Sequence, residues 1–278
     1  MRISRLGSVL LLGGPLLCLA IFFFVPFGDL VLSSFEKGTT LTTANYTRII
    51  GDAYYWKILW QTMEVSLWST LFCVVFGFPV AYHIHFHVRS RTVRRLIYII
   101  LITPLFTSNI VRAFGWIVML GRGGMVNQGL LAAGLIDAPL QLVYTKLSII
   151  LALSYTLLPF MVLSIGTVLQ NINRSVIEAA RDLGANPLLT FLKVTLPLSI
   201  PGVLAGSLIV FTLAVSAYVT PSIMSGGRYL VMPMLIFQQY MVVFDSNFGA
   251  ALAILLLAMT LILIAIYVLL LDRRAQRA

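Results

Sequence analysis

Charge is scarce in this chain. Only 10% of its 278 residues are charged, and acids are the rarer sign, nine against 19 Lys and Arg. With 60% hydrophobic residues, the apolar runs far exceed what a soluble core needs, so a soluble domain is excluded and a multi-pass membrane protein is indicated. Cysteine is nearly absent: Cys18 and Cys73 both lie inside apolar runs and read as packed or lipid-facing thiols, silent about redox compartment. A Gly-x4-Gly-Lys-Ser/Thr run is missing altogether, so the chain cannot itself cradle ATP phosphates. Gly121-Arg-Gly-Gly124 is rich in glycine but lacks the lysine and a preceding strand, and reads as a turn at the outer surface. Neither a carboxylate deep inside an apolar run nor an internal repeat is evident. Both lacks weigh against the alternative class, a secondary transporter driven by an ion gradient.

What is present is a series of spans. About 20 apolar residues cross the ~30 Å hydrocarbon layer, and six such runs are expected, near 8–32, 61–83, 96–120, 145–168, 199–220 and 247–271. The first is led by Arg2 and Arg5; its length, Pro15 and the lack of a small-x-small site favour a retained span over a cleaved signal peptide. The third is expected to break near Thr103-Pro104, and a Gly-rich linker, 121–144, to follow. Between the first two spans, Tyr46, Tyr54, Tyr55, Trp56 and Trp60 suit the headgroup level. The chain divides into residues 1–60, the first helix and outer loop; 61–271, the transmembrane domain proper; and a tail, 272–278.

Lys and Arg set the orientation. With both termini and the loops 84–95 and 169–198 on one side, that side holds twelve of the 19 basic residues and three of the nine acids. Both termini are therefore expected in the cytoplasm. Anionic lipid and insertion account for the net charge of +10 without a nucleic-acid partner.

The most ordered polar stretch is the loop 173–197. Ser175 and Glu178 have capping-box spacing. Gly184 sits where a helix end needs a left-handed residue. Asn186 can cap a second short helix opening on Pro187, and Pro197 is expected to stop it. Ala179 and Ala180 beside Glu178 leave room for another protein's backbone next to one acid. The spacing Glu178-Ala179-Ala180, three residues, Gly184, nine residues, Val194-Thr195-Leu196-Pro197 resembles the EAA loop of binding-protein-dependent ABC importer permeases. Val194, where that family has Ile, is the single departure. Asn45-Tyr46, Phe78-Pro79, Leu158-Pro159-Phe160-Met161 and Glu178 to Gly184 look most like its spermidine/putrescine-type branch, and Pro104 to Arg112 resembles the corresponding stretch of polyamine-type permeases.

The resemblance implies an all-α, six-span transmembrane domain of a type I ABC importer in a bacterial inner membrane. It implies a non-catalytic permease subunit whose EAA loop, through Ser175, Glu178, Ala179, Ala180, Asp182, Gly184 and Pro197, is a cytoplasmic coupling helix. The implied partners are a second six-span permease, identical or paralogous, two ATPase subunits that bind the ATP and Mg, and an extracytoplasmic solute-binding protein. No cofactor or metal is expected in this chain.

Pathway candidates are fewer. Arg112, one turn after Asn109, lies about 17 residues into the third span, ~24 Å along the ~30 Å layer, and is a candidate for a gate or outer mouth. In the fifth span Gly202 and Gly206 permit close helix approach, while Thr212, Ser216, Tyr218 and Thr220 offer hydroxyls to a solute. Glu64 and Asp245 are acids near span ends that can meet a cation. His83, His85 and His87 end the second span; on a helix only His83 and His87 share a face, so anchoring at the interface is favoured over a metal site.

Overall fold

The computed structural model describes residues 5–37 and 40–275. Among the described residues the regular structure is helical apart from one antiparallel pair of two-residue strands, Glu36–Lys37 with Thr40–Leu41. It forms two compact units. One joins the residues up to Lys57 to those from Leu235 onward; the other is Ile58–Met234.

In the first unit α1 (Arg5–Ser34) packs on α13 (Ser246–Ala275). None of the most apolar window of α1 is buried, as suits a helix whose solvent is lipid. Its end is pinned to α2 (Ala44–Gly51): the Asn45 amide donates to the carbonyls of Ser34 and Glu36 at 3.1 and 3.0 Å. The Arg48 guanidinium lies 4.1 Å over the Phe248 ring and 3.9 Å from Asp245. Two of the aromatics expected at the headgroups are packing residues instead: Tyr55 is buried edge-on against Phe248, and Tyr46 bonds Ser34. Tyr54, Trp56 and Trp60 are exposed.

The second unit is built on α3 (Ala53–Phe86), α7 (Lys146–Gln170) and α10 (Leu196–Val215). Cys73, Phe78, Met161, Ile165, Leu169 and Val210 form its main core. The small residues of α10 act as expected. A Cβ on Gly206 would lie 2.7 Å from Met161 Sδ, and one on Gly202 would lie 3.0 Å from the Ile165 Cα, so the α10 backbone rests directly on α7. Along α3, Thr62, Ser66 and Thr70 each return their hydroxyl to the carbonyl four residues earlier, which satisfies them inside an apolar core. The Thr62 oxygen also accepts the Met232 amide at 2.7 Å.

Among the described residues, five helices are long and apolar enough to cross a membrane. The expected third span is a bent pair. Helix α4 (Arg91–Ile102) continues through a tight turn, Thr103–Phe106, before α5 (Asn109–Leu120) begins, and the arm Arg91–Phe106 meets the arm Asn109–Ala132 at 101°. Pro104 and the cap at Ser108 cause the break. The carbonyl of Pro104 is taken by the Thr107 hydroxyl at 2.8 Å and by the Arg112 guanidinium. Six spans result when the pair counts as one. The 121–144 stretch is ordered rather than a plain linker: it contains α6 (Met125–Ala132), and the buried Asn127 donates to the carbonyls of Gly121 and Leu140. Gly124 donates to Gly121 across the expected turn.

Candidate coupling site and pathway residues

The loop 173–197 folds as helix, glycine turn, helix. Helix α8 (Arg174–Asp182) starts one residue before Ser175. The Asn173 side chain accepts the Ser175 amide at 3.1 Å, so Asn173, among the strongest N-cap types, displaces the expected Ser175–Glu178 box. Gly184 has φ +82, and Ala185 donates to the Ala180 carbonyl at 3.0 Å, the six-to-one bond of a Schellman turn. A Cβ on Gly184 would meet nothing within 4 Å; the requirement is backbone conformation, not space. Asn186 accepts the Leu189 amide at 2.7 Å and Pro187 opens α9 (Pro187–Thr190), as expected.

Pro197 does not stop that helix. Residues 191–195 form a π turn in which Leu196 donates to the Phe191 carbonyl, and Pro197 lies in the first turn of α10. The wider turn lets the chain pass a ring that would clash with the carbonyl four residues back. Pro187–Val215 is therefore one 29-residue helix.

Ser175, Glu178, Ala179 and Asp182 are exposed and Ala180 is half-buried. Val176, Ala179 and Leu183 recur at i, i+3 and i+7, on one face; Val176 is 45% and Leu183 90% exposed. Glu178 and Ile177 border a cavity of about 740 Å³ whose other walls include Tyr82, His87, Arg89, Arg94 and Thr190. The structure thus brings the end of α3 and the start of α4 against the loop. In sequence, the run from His83 to Arg95 reads only as an anchor. The signal that it faces Glu178 is its charge, opposite to that of the glutamate. His83 and His87 stack at 4.9 Å, on one face as the helical spacing requires, while His85 lies edge-on to Phe86. Among the described residues no group of three metal-ligating side chains forms.

The pathway candidates fall on three elements. Arg112 bonds the Asn109 side chain and the Pro104 carbonyl, so the two sequence candidates are one clamp that closes the bend between α4 and α5. Ser216 caps α10 and donates to Leu213 at 3.2 Å. Tyr218 and Thr220 lie beyond the end of α10, not in its last turns: Tyr218 caps α11 (Val219–Met224) and Thr220 is buried within it. Helix α11 packs on α5, which draws these residues toward the helix of the clamp. The two acids at span ends are taken by cations of the same chain, Glu64 by Lys146 and Asp245 by Arg48.

Residues 73–277 match the family described as binding-protein-dependent transport system inner membrane component. The spermidine/putrescine transport system permease protein PotB of Escherichia coli K12 is 34% identical over 235 residues, 84% of each chain. PotB of Haemophilus influenzae is 31% identical over 228 residues, 82% of this chain and 78% of its own. The inner membrane ABC transporter permease protein YdcU of E. coli K12 is 30% identical over 283 residues, 94% of this chain and 88% of its own. Among solved structures, a bacterial ABC transporter that imports the acidic polysaccharide alginate superposes with TM-score 0.77 at 18% identity, covering 98% of this chain and 96% of that one. The fold is the all-α transmembrane domain of a type I ABC importer, and the chain belongs to the family of inner membrane permease components of binding-protein-dependent transport systems.

Proposed function

We propose that the chain forms half of the translocation pathway of a polyamine importer and receives its driving force through α8. The carrying observation is the exposed stripe of Val176, Ala179 and Leu183 on a helix held by Asn173 and Gly184. An amphipathic helix with apolar residues at i, i+3 and i+7 suits a groove on a partner, here the ATPase subunit. Two such subunits bind the ATP and Mg; a second six-span permease, paralogous or identical, completes the pathway. An extracytoplasmic binding protein delivers the solute. Both termini and α8 lie in the cytoplasm. Residues 61–271 carry the transport domain, with 1–60 as its leading helix and outer loop and 272–278 as its tail. Spermidine or putrescine is the solute, on the strength of the PotB relatives.

The mechanism needs a difference in binding. A ligand moves an equilibrium only by its differential affinity for the two states, so closed and open ATPase pairs must grip α8 unequally. The pair closes on ATP, draws the two α8 helices together and tilts the bundle open to the outside; hydrolysis reverses the motion.

The test is uptake. Proteoliposomes holding this chain with its permease partner, ATPase and binding protein should accumulate labelled spermidine or putrescine only with internal ATP. Accumulation without ATP, driven by a proton or sodium gradient, would dismiss the proposal. ATP-driven uptake of some other solute would leave the coupling and overturn the polyamine assignment.

A further inference from the structure

A second cavity, about 590 Å³, runs along α4 and the turn after it, walled by Arg91, Arg94 and Arg95 at one end and by Ile99, Ile102 and Phe106 toward the other. These positions recur at helical spacing, so they share one face. Ile99 and Phe106 are 55% and 86% exposed. We propose that this groove holds an anionic phospholipid, with its phosphate at the arginines and one acyl chain along the isoleucines.

Three features favour that occupant. First, the charge is placed against the helix. Arg91, Arg94 and Arg95 occupy the opening turns of α4, where there is no acid and where the macrodipole is already positive; an anion relieves both. Among the described residues none of the three forms a salt bridge. Second, Arg94 Nε is buried without a hydrogen-bond partner, although its Nη2 donates to the Val88 carbonyl at 2.8 Å. Third, the length fits. Phe106 lies eleven positions beyond Arg95, ~16 Å of helix, close to half of the ~30 Å hydrocarbon layer. A soluble phosphate would use the arginines and leave the apolar wall bare. Arginine stems can line an apolar slot while their charged heads stay with polar groups.

The location gives the site a consequence. Arg94 also borders the cavity that contains Glu178, so the lipid would lie in the leaflet on the side of α8 and share a wall with the coupling cleft.

The experiment is lipid retention by the purified full chain. It is reconstituted in nanodiscs of equal phosphatidylglycerol and phosphatidylcholine, re-extracted, washed and weighed by native mass spectrometry. Wild type should retain phosphatidylglycerol over phosphatidylcholine, and Arg91→Gln/Arg95→Gln should reduce that preference about thirtyfold, the scale expected for two basic residues at an anionic surface. Arg273→Gln/Arg274→Gln, which removes the same charge elsewhere, should leave it unchanged. Ile102→Trp, which fills the apolar wall, should also lose the lipid. Equal loss in both double variants would reduce the effect to general surface charge and overturn the site. Full retention by Ile102→Trp, or displacement by millimolar inorganic phosphate, would overturn the acyl-chain groove.

Discussion

The ammonium of Lys146, at the start of α7, is paired with the carboxylate of Glu64 in α3, 82 residues away in sequence. Side-chain exposures of 38% and 29% place the pair between solvent and core. A double-mutant cycle of Lys146→Met and Glu64→Gln should therefore give a coupling of about 1 kcal/mol or less, read from thermal unfolding in detergent. A larger coupling would mean that the pair is dry in the membrane.

Tyr229 senses the same pair. Burial, then the nearby charge of Glu64, pushes its phenol from 10.0 up to about 12. A raised value favours the folded state while the phenol is protonated, so this contribution is complete below pH ~10 and disappears as pH rises through ~12. Glu64→Gln should move the tyrosinate midpoint back toward 10, measured by ultraviolet difference titration against Tyr229→Phe. An unmoved midpoint would assign the whole shift to burial.

At the elbow, Gly184→Ala should cost about 1–2 kcal/mol of local backbone strain without a steric clash. Gly184→Leu should insert and fold, yet recover less ATPase on copurification and fail in transport. Wild-type recovery together with wild-type transport would remove the turn from the coupling interface.

Capping gives a sharper test of the local structure. Asn173→Ala should destabilise α8 by about 1 kcal/mol, and Ser175→Ala should be nearly neutral, compared by amide exchange at residues 175–178. The reverse order would restore the box that Ser175 and Glu178 suggest in sequence.

Glu178→Lys should weaken ATPase docking through charge reversal, since Glu178 faces solvent beside Arg89 and Arg94. Pull-down yield measures it; unchanged yield would exclude the side chain from the interface.

Glycines separate packing from conformation. Gly206→Leu should cost about 1–3 kcal/mol or more by overpacking against Met161. Gly115→Ala, in α5 with nothing within 4 Å, should be neutral or gain up to about 1 kcal/mol. Melting temperatures in one detergent decide both.

The spans were legible because lipid forces a long apolar helix on any crossing segment, and the loop was legible because Gly184 and Asn186 admit few conformations. Pro197 misled for a physical reason: a proline reads as a stop, but a π turn absorbs it, and that choice depends on how α10 packs on α7. Tyr218 and Thr220 look like the last turn of a span, since nothing in Ser216-Ala217-Tyr218 marks the end of a helix. The Arg112 clamp was half visible: its spacing from Asn109 showed, while the Pro104 carbonyl it closes on requires the fold. The ion pairs of Glu64 and Asp245 join distant segments, and no local pattern announces them.

Because the π turn keeps Pro187–Val215 continuous, 29 residues make a shaft of about 44 Å. Swinging its foot by about ten degrees sweeps the opposite tip through roughly 8 Å, more than the width of a small solute. With α7 seated against Gly202 and Gly206, that shaft cannot swing alone, so any displacement of its foot has to be shared by both helices.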